Sequence, residues 1–292
     1  MPMAKLPRNR RVDEPPPMRL MERDVEILKA VHEFRIMRGD QLQALFFGSQ
    51  STASYRLSRL YQHGFLDRHF LPTLGGLASS PALYTLGKRG VDVLRRVLDC
   101  GPKDIRKPPS SQELSPLFLE HLLQINDFRV AVTVAARNRG YTLERWLDDY
   151  QLKGDYDRVI IQTPQGRKRS VSLIPDGYGV LLVPQGRACF FLELDRGTMT
   201  RSRFRDKVLA YQAYIASGQY ERRYGTRSLR VLTVTSGPKR LENLREEAEQ
   251  AGGGQVFWFT TSDLITADEV LTEPIWNVVG ESKYKVLIPN QE

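Results

Sequence analysis

The 292-residue sequence predicts a mixed α/β chain with two domains. Three observations lead there. Helical apolar periodicity over residues 22–62 gives way to two short β-rich runs. A Pro-rich stretch at 101–115, GPKDIRKPPSSQELS, then interrupts the pattern. Beyond it come a long helix, several strand-like runs, a helix and a strand, with a later helix–strand pair. The expected division is a disordered basic arm at 1–17, a first domain at 18–100, a linker at 101–115, a second domain at 116–265 and a C-terminal extension at 266–292.

The arm, MPMAKLPRNRRVDEPPP, has no apolar segment and ends in three prolines. From Glu22, Val25, Leu28 and Val31 with Ile27, Ala30 and Phe34 line the apolar side of a helix. Asp40 is placed to cap a second helix, 41–47. A third, 51–62, turns Ala53, Leu57, Leu60 and Tyr61 inward, leaves Thr52, Tyr55, Arg56 and Arg59 outward, and stops at His63-Gly64. Strands at 65–68 and 82–86 frame a wing, and a fourth helix covers 91–98. Three helices followed by a two-stranded wing is the winged helix-turn-helix order.

In the second half a helix spans about 117–139, followed by strands at 141–147, 158–162 and 171–174. A hairpin then turns at Pro184-Gln185-Gly186-Arg187. If Pro184 pairs with Arg187, Tyr178 lies opposite Glu193 and Asp176 opposite Asp195, so three carboxylates converge at the open end. Like charges held together need a cation or a proton between them. A helix at 201–217, with Phe204, Val208, Tyr211 and Ile215 inward, a strand at 229–235, a helix at 239–250 and a strand at 256–260 complete the pattern. A capping helix is expected from Ser262.

Composition narrows the partners. Net charge is +9, with sixteen Lys/Arg against ten Asp/Glu in residues 1–100, which favours a polyanion such as double-stranded DNA. No Asp or Glu occurs between Asp40 and Asp67, so nothing there repels phosphate. Thr52, Tyr55, Arg56 and Arg59 are the candidate DNA contacts, with Arg68 on the wing. Two distant cysteines fit free thiols in a reducing cytoplasm, and four histidines show no zinc spacing. No apolar run reaches membrane-span length, so no membrane partner is expected.

Several stretches carry resemblances. Leu57 to Arg68 and Tyr84 to Gly90 resemble the corresponding segments of bacterial winged-helix proteins. Pro175-Asp176 and Glu193-Leu194-Asp195 resemble the PD…(D/E)xK motif of the restriction-endonuclease-like superfamily, which implies an αβββαβ core. The resemblance also implies Mg2+ held by Asp176 and Glu193, with Asp195 and Glu120 assisting. Asp195 stands where the motif's lysine belongs, and Lys207, on the next helix, is the candidate substitute. Arg201 and Arg203 beside it would attract phosphate.

His121 to Asp127, Trp146, Pro175-Asp176-Gly177, Glu193 to Thr198 and Lys207 to Tyr211 resemble the replication-relaxation family of plasmid and mobile-element proteins. That implies a DNA-binding protein with a role in plasmid replication or in relaxation of plasmid DNA, with other replication or conjugation proteins as further partners. Two readings follow: a metal-dependent nickase or endonuclease, or a non-catalytic initiator or regulator with a degenerate nuclease-like domain.

Overall fold

The computed structural model describes residues 7–70, 81–101, 103–106, 115–162 and 166–289. They form a mixed α+β protein of two compact units that divide between Val130 and Ala131.

Unit 1 follows the expected order: α1 (Glu22–Phe34), β1 (Met37–Arg38), α2 (Gly39–Phe46), α3 (Gln50–Gln62), β2 (Leu66–Phe70), β3 (Ala82–Leu86) and α4 (Lys88–Val97). The sheet has three strands, not two, because β1 pairs with the far side of β3. The loop at 71–80, where the wing's tip was expected, lies outside the described residues, as do 107–114 of the expected linker. Ile27, Leu28, Leu42, Leu57, Leu60 and Leu66 are buried between the helices and the sheet. Each such side chain is worth about 1.5–3 kcal/mol on burial. Gly64, at φ +73°, ends α3. Its N–H donates to the Tyr61 carbonyl and that of Phe65 to the Leu60 carbonyl, a left-handed stop that costs a β-carbon dearly.

The basic arm departs from expectation. From Pro7 onward it is hydrogen-bonded along unit 1. Val12 N–H donates to Gln62 Oε1, and Arg11 donates to the carbonyls of Tyr61 and Leu66 and to Asp67. The arm's proline-rich backbone has carbonyls to spare, and the unit's long polar side chains consume them.

α5 (Pro116–Asn138) was expected to open the second domain, yet its first half packs on unit 1. Leu119, Leu122 and Leu123 cluster with Ile36 and Leu83. Asn126 Nδ2 donates to the Phe34 and Ile36 carbonyls, and Arg38 pairs with Asp127.

Unit 2 holds β4 (Thr142–Asp148), α6 (Asp149–Gly154), β5 (Asp157–Gln162), β6 (Lys168–Leu173), β7 (Gly177–Val183), β8 (Gly186–Asp195), α7 (Arg201–Ala216), α8 (Gln219–Tyr224), β9 (Arg230–Thr235), α9 (Pro238–Gln250), β10 (Phe257–Thr261) and β11 (Asn277–Val278). Its six-stranded sheet runs β11-β10-β9-β8-β7-β4, with β8, β9 and β10 mutually parallel. β5 and β6 form a separate two-stranded ribbon. In place of the expected capping helix, a 3-10 turn at Ser262–Leu264 leads to β11, which extends the sheet, and Trp276 is fully buried.

The hairpin register also needs correction. Val183 pairs with Gly186, leaving a two-residue turn at Pro184-Gln185, and Gly177 faces Leu192. Asp176 therefore comes beside Glu193 and not Asp195. The offset is even, so every side chain keeps its expected face. β7 can lie this close to its neighbours because a β-carbon at Gly177 would meet the Trp146 ring at 2.6 Å, and one at Gly179 the Phe190 ring at 2.3 Å.

Candidate functional site

β8 places Glu193 and Asp195 on one face, and α7 crosses that face. Thr200 caps α7, its hydroxyl accepting from Arg203 N–H. Phe204, Val208, Tyr211 and Tyr214 are buried; Ile215, expected inward, is 40% exposed. Lys207 and Tyr211 are one turn apart on the helix and so reach the same point on β8.

They meet at Glu193. Lys207 Nζ donates to Glu193 Oε2, and Tyr211 Oη donates to Oε1 at 2.6 Å. Glu193 is 4% exposed, and the floor beneath it is aromatic: Phe191 lies 5.6 Å from Tyr211, with Tyr220 and Tyr224 behind. Burial pushes the Glu193 carboxyl up, opposed by Lys207, while Asp176 raises it further. Burial also works against the Lys207 ammonium, but Glu193 and then Asp176 outweigh it and hold the lysine above its ordinary value. The Tyr211 hydroxyl is held well up by burial and by Glu193, so it stays a donor. Asp176 anchors itself next door, its Oδ2 accepting from Leu194 N–H at 2.7 Å.

Asp195 belongs to a different cluster. Arg240 on α9 grips it with Nε at 2.7 Å and Nη2 at 2.9 Å, and Thr235 Oγ1 donates at 3.0 Å. Although burial acts the other way, these donors hold its carboxyl below the usual range. Its expected convergence with the other two acids is therefore replaced by an ion pair. Arg201, at the start of α7, donates to Asn243. No local signal pointed to Arg240, because α7, α8 and the parallel strand β9 separate it from Asp195 in the chain. Glu120 lies in unit 1, the unit that does not contain Asp176 and Glu193. Arg203 is exposed on the first turn of α7 and acts on the Lys207 charge.

Among the described residues no group of three or more His, Cys, Asp or Glu is arranged to hold a metal ion. Two hard carboxylates nonetheless fit Mg2+, which usually takes one or two from the protein and the rest from water and phosphate. Asp176 and Glu193 are those two, and Glu193 would have to release Lys207 or Tyr211 to bind.

In unit 1 the predicted DNA contacts separate into two groups. Thr52 and Tyr55 are exposed. Arg56, expected outward, pairs with fully buried Asp24, Nε to Oδ1 at 2.7 Å, and donates to the Arg19 carbonyl. Arg59 is buried and donates to the Pro17 carbonyl. Arg68 donates to the Pro7 and Arg8 carbonyls and stacks 4.1 Å over Tyr61. Arg59 and Arg68 hold the arm, and Arg56 ties α3 to α1 and the segment before it.

No helix of the described residues is long and apolar enough to cross a membrane. No curated protein and no solved structure matches the chain. The replication-relaxation family model matches residues 28–229, well over half of the sequence and reaching into both units. The chain belongs to the replication-relaxation family.

Proposed function

We propose that this is a DNA-binding protein of a plasmid or mobile element, acting in replication or relaxation, whose second unit is a metal-dependent nickase. Family membership supports the replication or relaxation role. The α1-α2-α3-β2-β3 order of unit 1 and the acid-free span 41–66 support a winged helix on duplex DNA.

One observation carries the enzymatic part: Lys207 reaches Glu193 beside Asp176, restoring from a helix the lysine that position 195 lacks. Asp176 and Glu193 would hold Mg2+, which supplies charge neutralisation at the scissile phosphate. Lys207, kept protonated, offsets charge on the phosphate oxygens, and Tyr211 fixes the Glu193 carboxylate. The aromatic floor keeps these interactions strong by excluding water. Arg201 and Arg203 on α7 draw the backbone in.

The test is supercoiled plasmid incubated with Mg2+ or Mn2+ beside Asp176→Asn, Glu193→Gln and Lys207→Met. Wild-type protein nicks, and each variant falls by about 10^2-fold or more, the scale of losing one preorganised electrostatic group. If neither metal gives nicking above the variants, the enzymatic part is wrong. A second reading then applies: a non-catalytic initiator or regulator. It is favoured by the engagement of both Glu193 oxygens within the protein.

A further inference from the structure

The β5–β6 ribbon stands apart from the main sheet, and its two faces differ in kind. Val159, Ile161 and Leu173 point inward and join the core that also contains Phe204, Val208 and Tyr211 of α7. Arg169 on the same side pairs with Asp206. The outer face carries Arg158, Ile160 and Gln162 opposite Ser172, Ser170 and Lys168. All six are exposed, Ile160 by 66%, and exposed Arg167 adjoins them.

No Asp or Glu occurs between Asp157 and Asp176. The outer face thus presents Arg158 and Lys168, with exposed Arg167 just before β6, and none of the ribbon's outward positions is acidic. Arg158 leans on a phenol, its Nη2 donating to Tyr156 Oη at 3.1 Å, which leaves its charge uncancelled. An exposed isoleucine in the middle of a ribbon gains nothing from folding. Set among cations, hydroxyls and an amide, it matches a surface that is anionic at its rims and carries methyl groups and hydrogen-bonding edges between them.

Duplex DNA is that surface. Its major groove admits a two-stranded ribbon, its phosphates line both rims, and thymine methyls sit in the floor. We propose that the outer face of β5–β6 contacts duplex DNA from the major-groove side, with Arg158, Arg167 and Lys168 on phosphates and Ile160, Gln162 and Ser170 at base edges. The proposal rests on the DNA-binding reading above and adds a second contact surface to it, in unit 2.

Duplex affinity is measured by fluorescence anisotropy across a KCl series for full-length wild type and an Arg158→Ala/Arg167→Ala/Lys168→Ala variant. Each phosphate contact contributes about 0.9 to the slope of log K against log salt, so the slope falls by about 2–3 and low-salt affinity by about 10-fold or more. The thermal midpoint stays near wild type because the replaced side chains are exposed. Lysine acetylation footprinting of the wild type supplies a reading that needs no variant: bound duplex protects Lys168. Unchanged slope and an unprotected Lys168, with wild type still binding, overturn the ribbon and leave the DNA-binding reading standing. Wild-type protein that binds no duplex overturns both. Protection of Lys168 by an acidic polypeptide but not by duplex assigns the face to a protein partner instead.

Discussion

Helix α3 of unit 1 and helix α7 of unit 2 each carry cations that the sequence offers for work on DNA, Arg56 and Arg59 on the first and Lys207 on the second. On α3, Arg56 and Arg59 turn back onto the chain's own N-terminal segment and onto buried Asp24. On α7, Lys207 reaches a carboxylate on the neighbouring strand. Periodicity assigns a side chain to a face, but the charge it meets is set by what packs there. A proline-rich arm rich in unused carbonyls absorbs guanidinium donors, whereas a buried acid on a strand recruits an ammonium. A cationic side chain is therefore structural in one unit and a candidate for chemistry in the other.

The contrast is tested most severely at Asp195. It shares a face with Glu193 and lies two residues away, yet Arg240 treats it as a structural anchor. Asp195→Ala leaves Arg240 without its carboxylate partner. Destabilisation of about 3–5 kcal/mol is expected, read as a fall in the denaturant midpoint. Because the folded-state carboxyl lies below its unfolded value, the pair stabilises above the ordinary aspartate range, near 4. That stability is lost as pH falls through the depressed value. The acid limb of the stability profile should flatten in the variant. An unchanged limb would place Asp195 with the catalytic acids after all.

Arg56 comes next. Read from sequence it contacts DNA; in the structure it neutralises a carboxylate with no exposure. Arg56→Ala should cost about 3 kcal/mol in stability by stranding Asp24, with the salt slope of duplex binding unchanged. A smaller slope at unchanged stability would return Arg56 to the DNA interface. Tyr211→Phe is milder: it removes one donor to Glu193, about 1–2 kcal/mol. The donor opposes the upward shift of Glu193, so its loss moves the acid limb of nicking to higher pH.

How much of this was legible in the sequence follows from the range of the interactions. The order α1, α2, α3, β2, β3 and the α7 face bearing Lys207 and Tyr211 were readable because apolar spacing is local. Asp176 and Glu193 were readable as neighbours because a hairpin fixes partners by its turn, although the turn sits one residue earlier than expected. The Asp195–Arg240 pair was not, since it needs the parallel crossover from β8 through β9 to α9. Nor was the docked arm: side chains of α3 and β2 bind its backbone carbonyls, and carbonyls leave no trace in residue type. The added strands β1 and β11 span two residues each, too short for any period to register.

The smallest expected effect concerns what remains exposed on α3. Thr52 and Tyr55 lie outward on a helix start capped by Ser49, whose side chain accepts from Thr52 N–H. With Arg56 committed to Asp24 and Arg59 to the arm, these two side chains and the positive helix N-terminus are what α3 offers to a phosphate. Tyr55, 44% exposed, also has the Arg59 guanidinium 5.9 Å from its ring centroid, which places a cation behind the aromatic face. Tyr55→Ala with Thr52→Ala should leave the thermal midpoint within the range of ordinary surface changes, about 0.5 kcal/mol. Duplex binding should weaken by several-fold, with little change in salt slope because neither side chain is charged. Undiminished affinity would mean that unit 1 approaches DNA by a surface other than α3, leaving the basic ribbon of unit 2 as the principal contact.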